Sequence, residues 1–302
     1  MFTSSRALAA LAVLLVATAC TTQLTDRPSQ DGPLPDTAYP AMTSGTIYLL
    51  VGKPASGNVW RVDLPSRASA QLTHNRAGFG ISWLSASAAG LVLADAASGI
   101  DDVSVYRDHR STDLAGHGVT PVISPTGSVA YVPVPDTGAS WSVVERPASG
   151  GSAQIRYQQG SPDLGALAFG PDNQLAVISG PSSAGADVLV FTGNTTQPRT
   201  IDPGISTIGF LVWGAKAPGI AVGDLAGYGE LIDPGSNVIT PLPGHWTPEC
   251  WSPDGSRLVV SQGDRLGIWQ LAASERVDDL GVMSGAAPLT GCSWLTGPAA
   301  GA

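Results

Sequence analysis

Few side chains in this sequence could do chemistry, and their spacing argues mostly against catalysis. Its 302 residues hold 4 histidines (His74, His109, His117, His245), 3 cysteines (Cys20, Cys250, Cys292) and lysine only as Lys53 and Lys216. So little lysine removes Schiff-base and Ser–Lys mechanisms. No Gly-x-Ser-x-Gly elbow, Ser-x-x-Lys pair or Gly-x-x-x-x-Gly-Lys phosphate loop occurs. The acids are more suggestive. Asp95, Asp101, Asp102, Asp136, Asp187, Asp224 and Asp264 fall between apolar runs, where loops would lie. With His117, His245 and Glu249 they make a candidate binding face for a cation, a basic peptide or a cationic protein. Ordinary solvated loop aspartates are the alternative reading. Their spacing forms no compact D-x-D-x-D-G loop, so no metal and no cofactor is expected.

The elements that would carry these residues are strands. Hydrophobic residues make up 43% of the chain and charged residues 13%, with 37 glycines and 24 prolines spread throughout. Turn residues evenly scattered between short β-branched and aromatic runs imply many short strands in one all-β unit. The net charge of −9 leaves no cationic stripe for a phosphate backbone, so nucleic acid is excluded as a partner. Nor does the folded part offer a polybasic patch to anionic lipid.

The N-terminus has a separate purpose. One basic residue, Arg6, precedes the apolar run Ala7–Ala17, which ends at Thr18-Ala19-Cys20. Such a run is too short to span a bilayer but suits the apolar core of a signal peptide. Small residues just before a cysteine resemble the lipobox of bacterial lipoproteins, with Ala17 where leucine is usual. The resemblance implies cleavage after residue 19, diacylation of Cys20, and anchoring to the outer face of the cell membrane. An ordinary secretory signal beside a chance cysteine is the alternative. Residues 20–44 are rich in Pro, Asp and Thr without periodicity, so a flexible tether is expected there.

Beyond residue 44 a segment recurs: a large apolar residue, often Ser-Pro-x-Gly, then a β-rich run. The anchors are Trp83, Ile123, Phe169, Trp213, Trp251 and Trp294, spaced by 40, 46, 44, 38 and 43 residues. That period suits the four-stranded blades of a propeller. The first unit lacks an anchor ahead of Gly45-Val51, and the last anchor has no blade after it. The C-terminal strand is therefore expected to complete the first blade and close a ring of six. The propeller is placed at residues 45–297, with 298–302 as a disordered tail.

WSPDGSRLVVS at Trp251-Ser261 resembles the repeat of TolB-type propellers and of prolyl oligopeptidase propellers, as does WRVDL at 60–64 followed by QLT at 71–73. More loosely, the chain resembles propeller lipoproteins of actinobacteria paired with sensor kinases. The likeness spans about residues 45–297, with blades two, four and five degenerate. It implies a tendency to bind proteins or peptides and no catalysis, because the peptidases keep their chemistry in a separate domain. His117 and His245, each after a glycine and six residues before an anchor, resemble the Gly-His of WD-repeat blades, where imidazole orders a loop.

Cys250 and Cys292 sit beside anchors in the last and first blades and point to opposite faces relative to them. A closing disulfide and two buried free thiols are both open. The expected molecule is a monomeric, lipid-anchored, exported propeller that binds an envelope protein or peptide. The alternatives are a metal-assisted lactonase- or lyase-like enzyme and a small-solute binder using the central pocket.

Overall fold

The computed structural model describes residues 27–29, 32–53, 57–74, 80–95, 102–107, 110–134, 140–160, 163–180, 185–193, 195–205, 207–224, 226–272 and 276–301. Cys20, His109, Asp101 and Asp136 lie outside the described residues. So do the leader and the first residues of the proposed tether.

The chain folds into six antiparallel sheets, each of four consecutive strands hydrogen-bonded in order, except that the first blade takes its innermost strand from the C-terminus. The innermost strands are Leu289–Leu295, Ile81–Ser87, Gly118–Ile123, Leu164–Phe169, Phe210–Val212 and Thr247–Trp251. Each touches the next around the ring and the last touches the first, so they enclose a central channel. Closure is as the sequence predicts: Leu289–Leu295 pairs with Thr46–Val51, Trp294 facing Ile47 and Leu295 facing Thr46. A closed ring leaves no inner edge to recruit another strand.

The second strands are buried over their whole length in several blades, Thr46–Val51 and Leu175–Ser179 among them. Both faces of such a strand pack against neighbouring blades, so it reads as a continuous apolar run. Tight turns join first to second strands. In blade 6 the Asp254 carboxylate accepts hydrogen bonds from the Ser252 and Ser256 hydroxyls and from the Ser256 N–H. Those bonds hold its carboxyl down to about pKa 2. Gly255 takes φ +74, and a Cβ there would strike the Lys216 carbonyl.

Three expectations need correction. Trp83 is not the anchor of blade 2. Strand register puts Ala86 opposite Leu91, the place held elsewhere by Ile123 opposite Val129, Phe169 opposite Leu175 and Trp251 opposite Leu258. Trp83 sits three residues upstream and reaches across the channel to the apolar cluster of blades 4 to 6.

Residues 32–44 are not a free tether. Leu34, Ala38, Tyr39 and Met42 are buried between blades 6 and 1, against Ile47, Val62, Leu266, Leu280 and Trp294. Arg27–Ser29 adds a fifth strand outside Ala68–Gln71. Enough apolar side chains occur among the prolines to hold the segment as a strap. Finally, Ala299 is buried, its N–H donating to the Tyr48 hydroxyl, so the C-terminal residues are not a disordered tail.

At the same seam Cys250 and Cys292 are joined as a disulfide, with their Cα atoms 5.5 Å apart. Among the described residues no helix is long and apolar enough to cross a membrane.

Candidate functional site

Because each inner strand starts from a connection between blades, those connections and the loops from second to third strands share one face. The candidate carboxylates gather there. Asp95 and Asp102 end and begin neighbouring strands and face each other in register. Asp187 starts the third strand of blade 4, Asp224 follows the second strand of blade 5, and Asp264 sits in the tight turn of blade 6. Asp163 and Asp202, in connections between blades, join them.

Not all of these side chains are free to bind. The Asp224 carboxylate accepts from the Ala226 and Tyr228 N–H groups and so shapes its own turn. His117 and His245 are exposed on the same face. The His245 ring meets Tyr228 edge to face at 4.5 Å. Its carbonyl accepts from Gln262, and the His117 carbonyl from the Val134 N–H. Backbone, not imidazole, carries these loop-ordering bonds.

Asp163, Asp202 and Glu230 escaped the sequence reading. Asp202 lies near both Asp187 and Glu230, and each of the latter is held above the usual carboxylate range, first by burial and then by the Asp202 charge. A single aspartate after a short strand gave little signal in the sequence, and Glu230 looked like an ordinary strand residue.

Glu249, expected on this face, is elsewhere. Pro248 pairs with Val260 and Cys250 with Val259, so Glu249 is the extra residue of a β-bulge, a device that re-aims a side chain. It lines the central channel, is 5% exposed, and accepts a 2.5 Å hydrogen bond from Ser261. Burial pushes its carboxyl up to about pKa 8 against the opposing effect of that bond.

The channel widens, toward the turns between first and second strands, into a cavity of about 470 Å³. Trp83, Phe169, Trp213, Trp251 and Trp294 form much of its wall, and Lys216 stands at its mouth. The Trp213 ring lies over Gly170, where a Cβ would come within 2.2 Å of it. Among the described residues no group of three His, Cys, Asp or Glu side chains is placed to hold a metal.

No family model matches the chain, and no curated protein matches it either. Solved structures do. TolB from Acinetobacter baumannii superimposes with a TM-score of 0.67 at 14% identity, over 86% of this chain and 70% of that one. A chain of a nidogen–laminin complex gives 0.64 at 13% identity, over 83% of this chain and all of the other. Hydrazine synthase from Kuenenia stuttgartiensis gives 0.52 at 12% identity, over 74% and 79%. At such identities the likeness speaks of fold: the chain is a TolB-like six-bladed β-propeller.

Proposed function

We propose that this protein is an exported, lipid-anchored binding module whose acidic face receives a basic segment of an envelope protein. The observation that carries the reading is the collection of Asp95, Asp102, Asp163, Asp187, Asp202, Asp224 and Asp264 on one end of the ring. The opposite end mixes Arg67, Arg107, Lys216 and Arg276 with Asp172, Asp233 and Asp254. Lys53 and Arg265 also stand at the acidic end, Arg265 paired with Asp279, but the carboxylates outnumber them, and such an excess steers a cationic partner and sets its orientation. The nidogen–laminin assembly contains a similar ring within a protein complex, which supports a scaffold role. The leader ending at Cys20 supports export and anchoring.

The test is affinity capture from detergent-solubilised envelope with the wild-type chain and with an Asp102→Asn, Asp187→Asn, Asp202→Asn, Asp264→Asn variant. Asp224 is left intact because it shapes its turn. A partner enriched by wild type, lost with the variant and released as salt rises is the expected result. Equal enrichment by both proteins would sink the acidic-face reading.

A further inference from the structure

Among the tyrosines, tryptophans and phenylalanines of the described residues, Tyr228 alone is more exposed than buried, at 54%. It stands at the acidic end of the ring, in the loop between the second and third strands of blade 5, and its surroundings hold it still. The Asp224 carboxylate accepts from the Ala226 and Tyr228 N–H groups, and the Asp224 N–H donates to the Tyr228 carbonyl. The Tyr228 ring meets that of His245 edge to face, with centroids 4.5 Å apart. His245 is fixed in turn. Its carbonyl accepts from the Gln262 side chain, and Trp246, the next residue, packs over Gly267 in the third strand of blade 6.

Carboxylates bracket this aromatic pair. Both bonds to Asp224 end on its Oδ1, so among the described residues Oδ2 has no donor. On the other side, Gln262 opens the tight turn that carries Asp264. A ring set beside open carboxylates discriminates between cations. The ammonium of lysine is a compact, strongly hydrated charge, whereas the guanidinium of arginine is planar, less hydrated, stacks on aromatic faces and forks to a carboxylate. Tyrosine and arginine are also the residue types in which interfaces concentrate their binding energy. Because the turn is already ordered, docking on Tyr228 costs little conformational freedom on this side.

We propose that Tyr228 and Asp224 form a seat for arginine: a guanidinium of the incoming segment lies on the Tyr228 ring and donates to the open Asp224 oxygen. The partner is then recognised by arginine and not by positive charge alone. This inference rests on the acidic-face reading and names the chemistry of its partner.

Two peptides of equal length and charge test it on the full chain by calorimetry, one alternating Arg with Gly and the other Lys with Gly. The arginine peptide is expected to bind about two- to fivefold more tightly, as one exposed cation–π contact is worth. Tyr228→Phe keeps the ring and should keep that preference. Tyr228→Leu should remove it, leaving the lysine peptide and the salt dependence of both peptides unchanged. The variant with Asp102, Asp187, Asp202 and Asp264 changed to Asn should weaken both peptides. Equal binding of the two peptides by wild type, or a Tyr228→Leu protein that weakens both alike, overturns the arginine seat and leaves the acidic-face reading standing. Binding of neither peptide, or no loss in the four-site variant, removes the acidic-face reading and the seat with it. If Tyr228→Leu does not fold, the two peptides on wild type and on Tyr228→Phe decide.

Discussion

A carboxylic acid in the wall of a tryptophan-lined channel must give up its charge or meet a cation. Glu249 does the former, held near pKa 8 by burial. The consequence for stability has a definite sign. The folded state keeps the proton up to about pH 8, whereas the unfolded chain releases it near 4.5. Below pH 4.5 both states are protonated and there is no penalty. As pH rises from about 4.5 to 8 the unfolded state is increasingly favoured, and above 8 the difference is constant. Glu249→Gln keeps the shape and should donate a hydrogen bond without titrating. Its melting temperature, measured against wild type from pH 4 to 9, should gain steadily on the wild type over that window. A constant difference between the two proteins would mean that Glu249 is ionised in the fold. The bulge that aims this side chain inward was illegible in the sequence, because a single extra residue leaves the apolar pattern around Trp251 nearly intact. The loop aspartates were legible, because a run of alternating strand residues bounded by Asp and Gly fixes where a loop must be.

The strands themselves were largely readable, since turn signals and apolar runs recur at blade length. Blade 2 shows the limit. Trp83 was the largest side chain in its segment and so drew the alignment, while the true equivalent is a small residue, Ala86, identified only by its pairing with Leu91. The strap was missed for a related reason. Leu34, Ala38 and Met42 recur at every fourth residue, but Pro28, Pro33, Pro35 and Pro40 dilute the pattern to something that reads as linker. The strap and the Cys250–Cys292 crosslink meet at the seam between blades 6 and 1, where the ring must be closed by residues far apart in the chain. Replacing both Cys250 and Cys292 by Ser should cost roughly 3–4 kcal/mol, as the chain-entropy account gives for a crosslink of 42-residue separation. Met42→Ala, at a fully buried site in the strap, should cost about 2–4 kcal/mol. Both act on one seam, so in denaturant unfolding their costs should combine non-additively. Strict additivity would mean that the strap and the crosslink stabilise separate parts of the ring.

At the scale of the whole molecule the strap changes how an anchored ring would sit on a membrane. A tether of residues 20–44 would let the domain swing freely, whereas the chain already joins blade 1 at Arg27, opposite Gln71 on its outermost strand. If Cys20 carries the lipid, as proposed, the connection from Cys20 to Arg27 reaches at most about 24 Å when fully extended. That is too short to present either end of the channel freely. The rim of blade 1 should face the bilayer, with the acidic face and the cavity mouth both turned sideways and open to partners. Energy transfer from a fluorophore at position 66, in the exposed turn of blade 1, to a dye in the lipid should therefore exceed that from position 193, in blade 4 across the ring. Inserting about 20 Gly and Ser residues after residue 24 adds roughly 25 Å of mean reach and should bring the two signals together. Cys20→Ser should remove transfer from both positions. Equal transfer from 66 and 193 in the wild-type protein would show that the strap does not hold while the protein is anchored, and the ring would then be free to turn either face to the membrane.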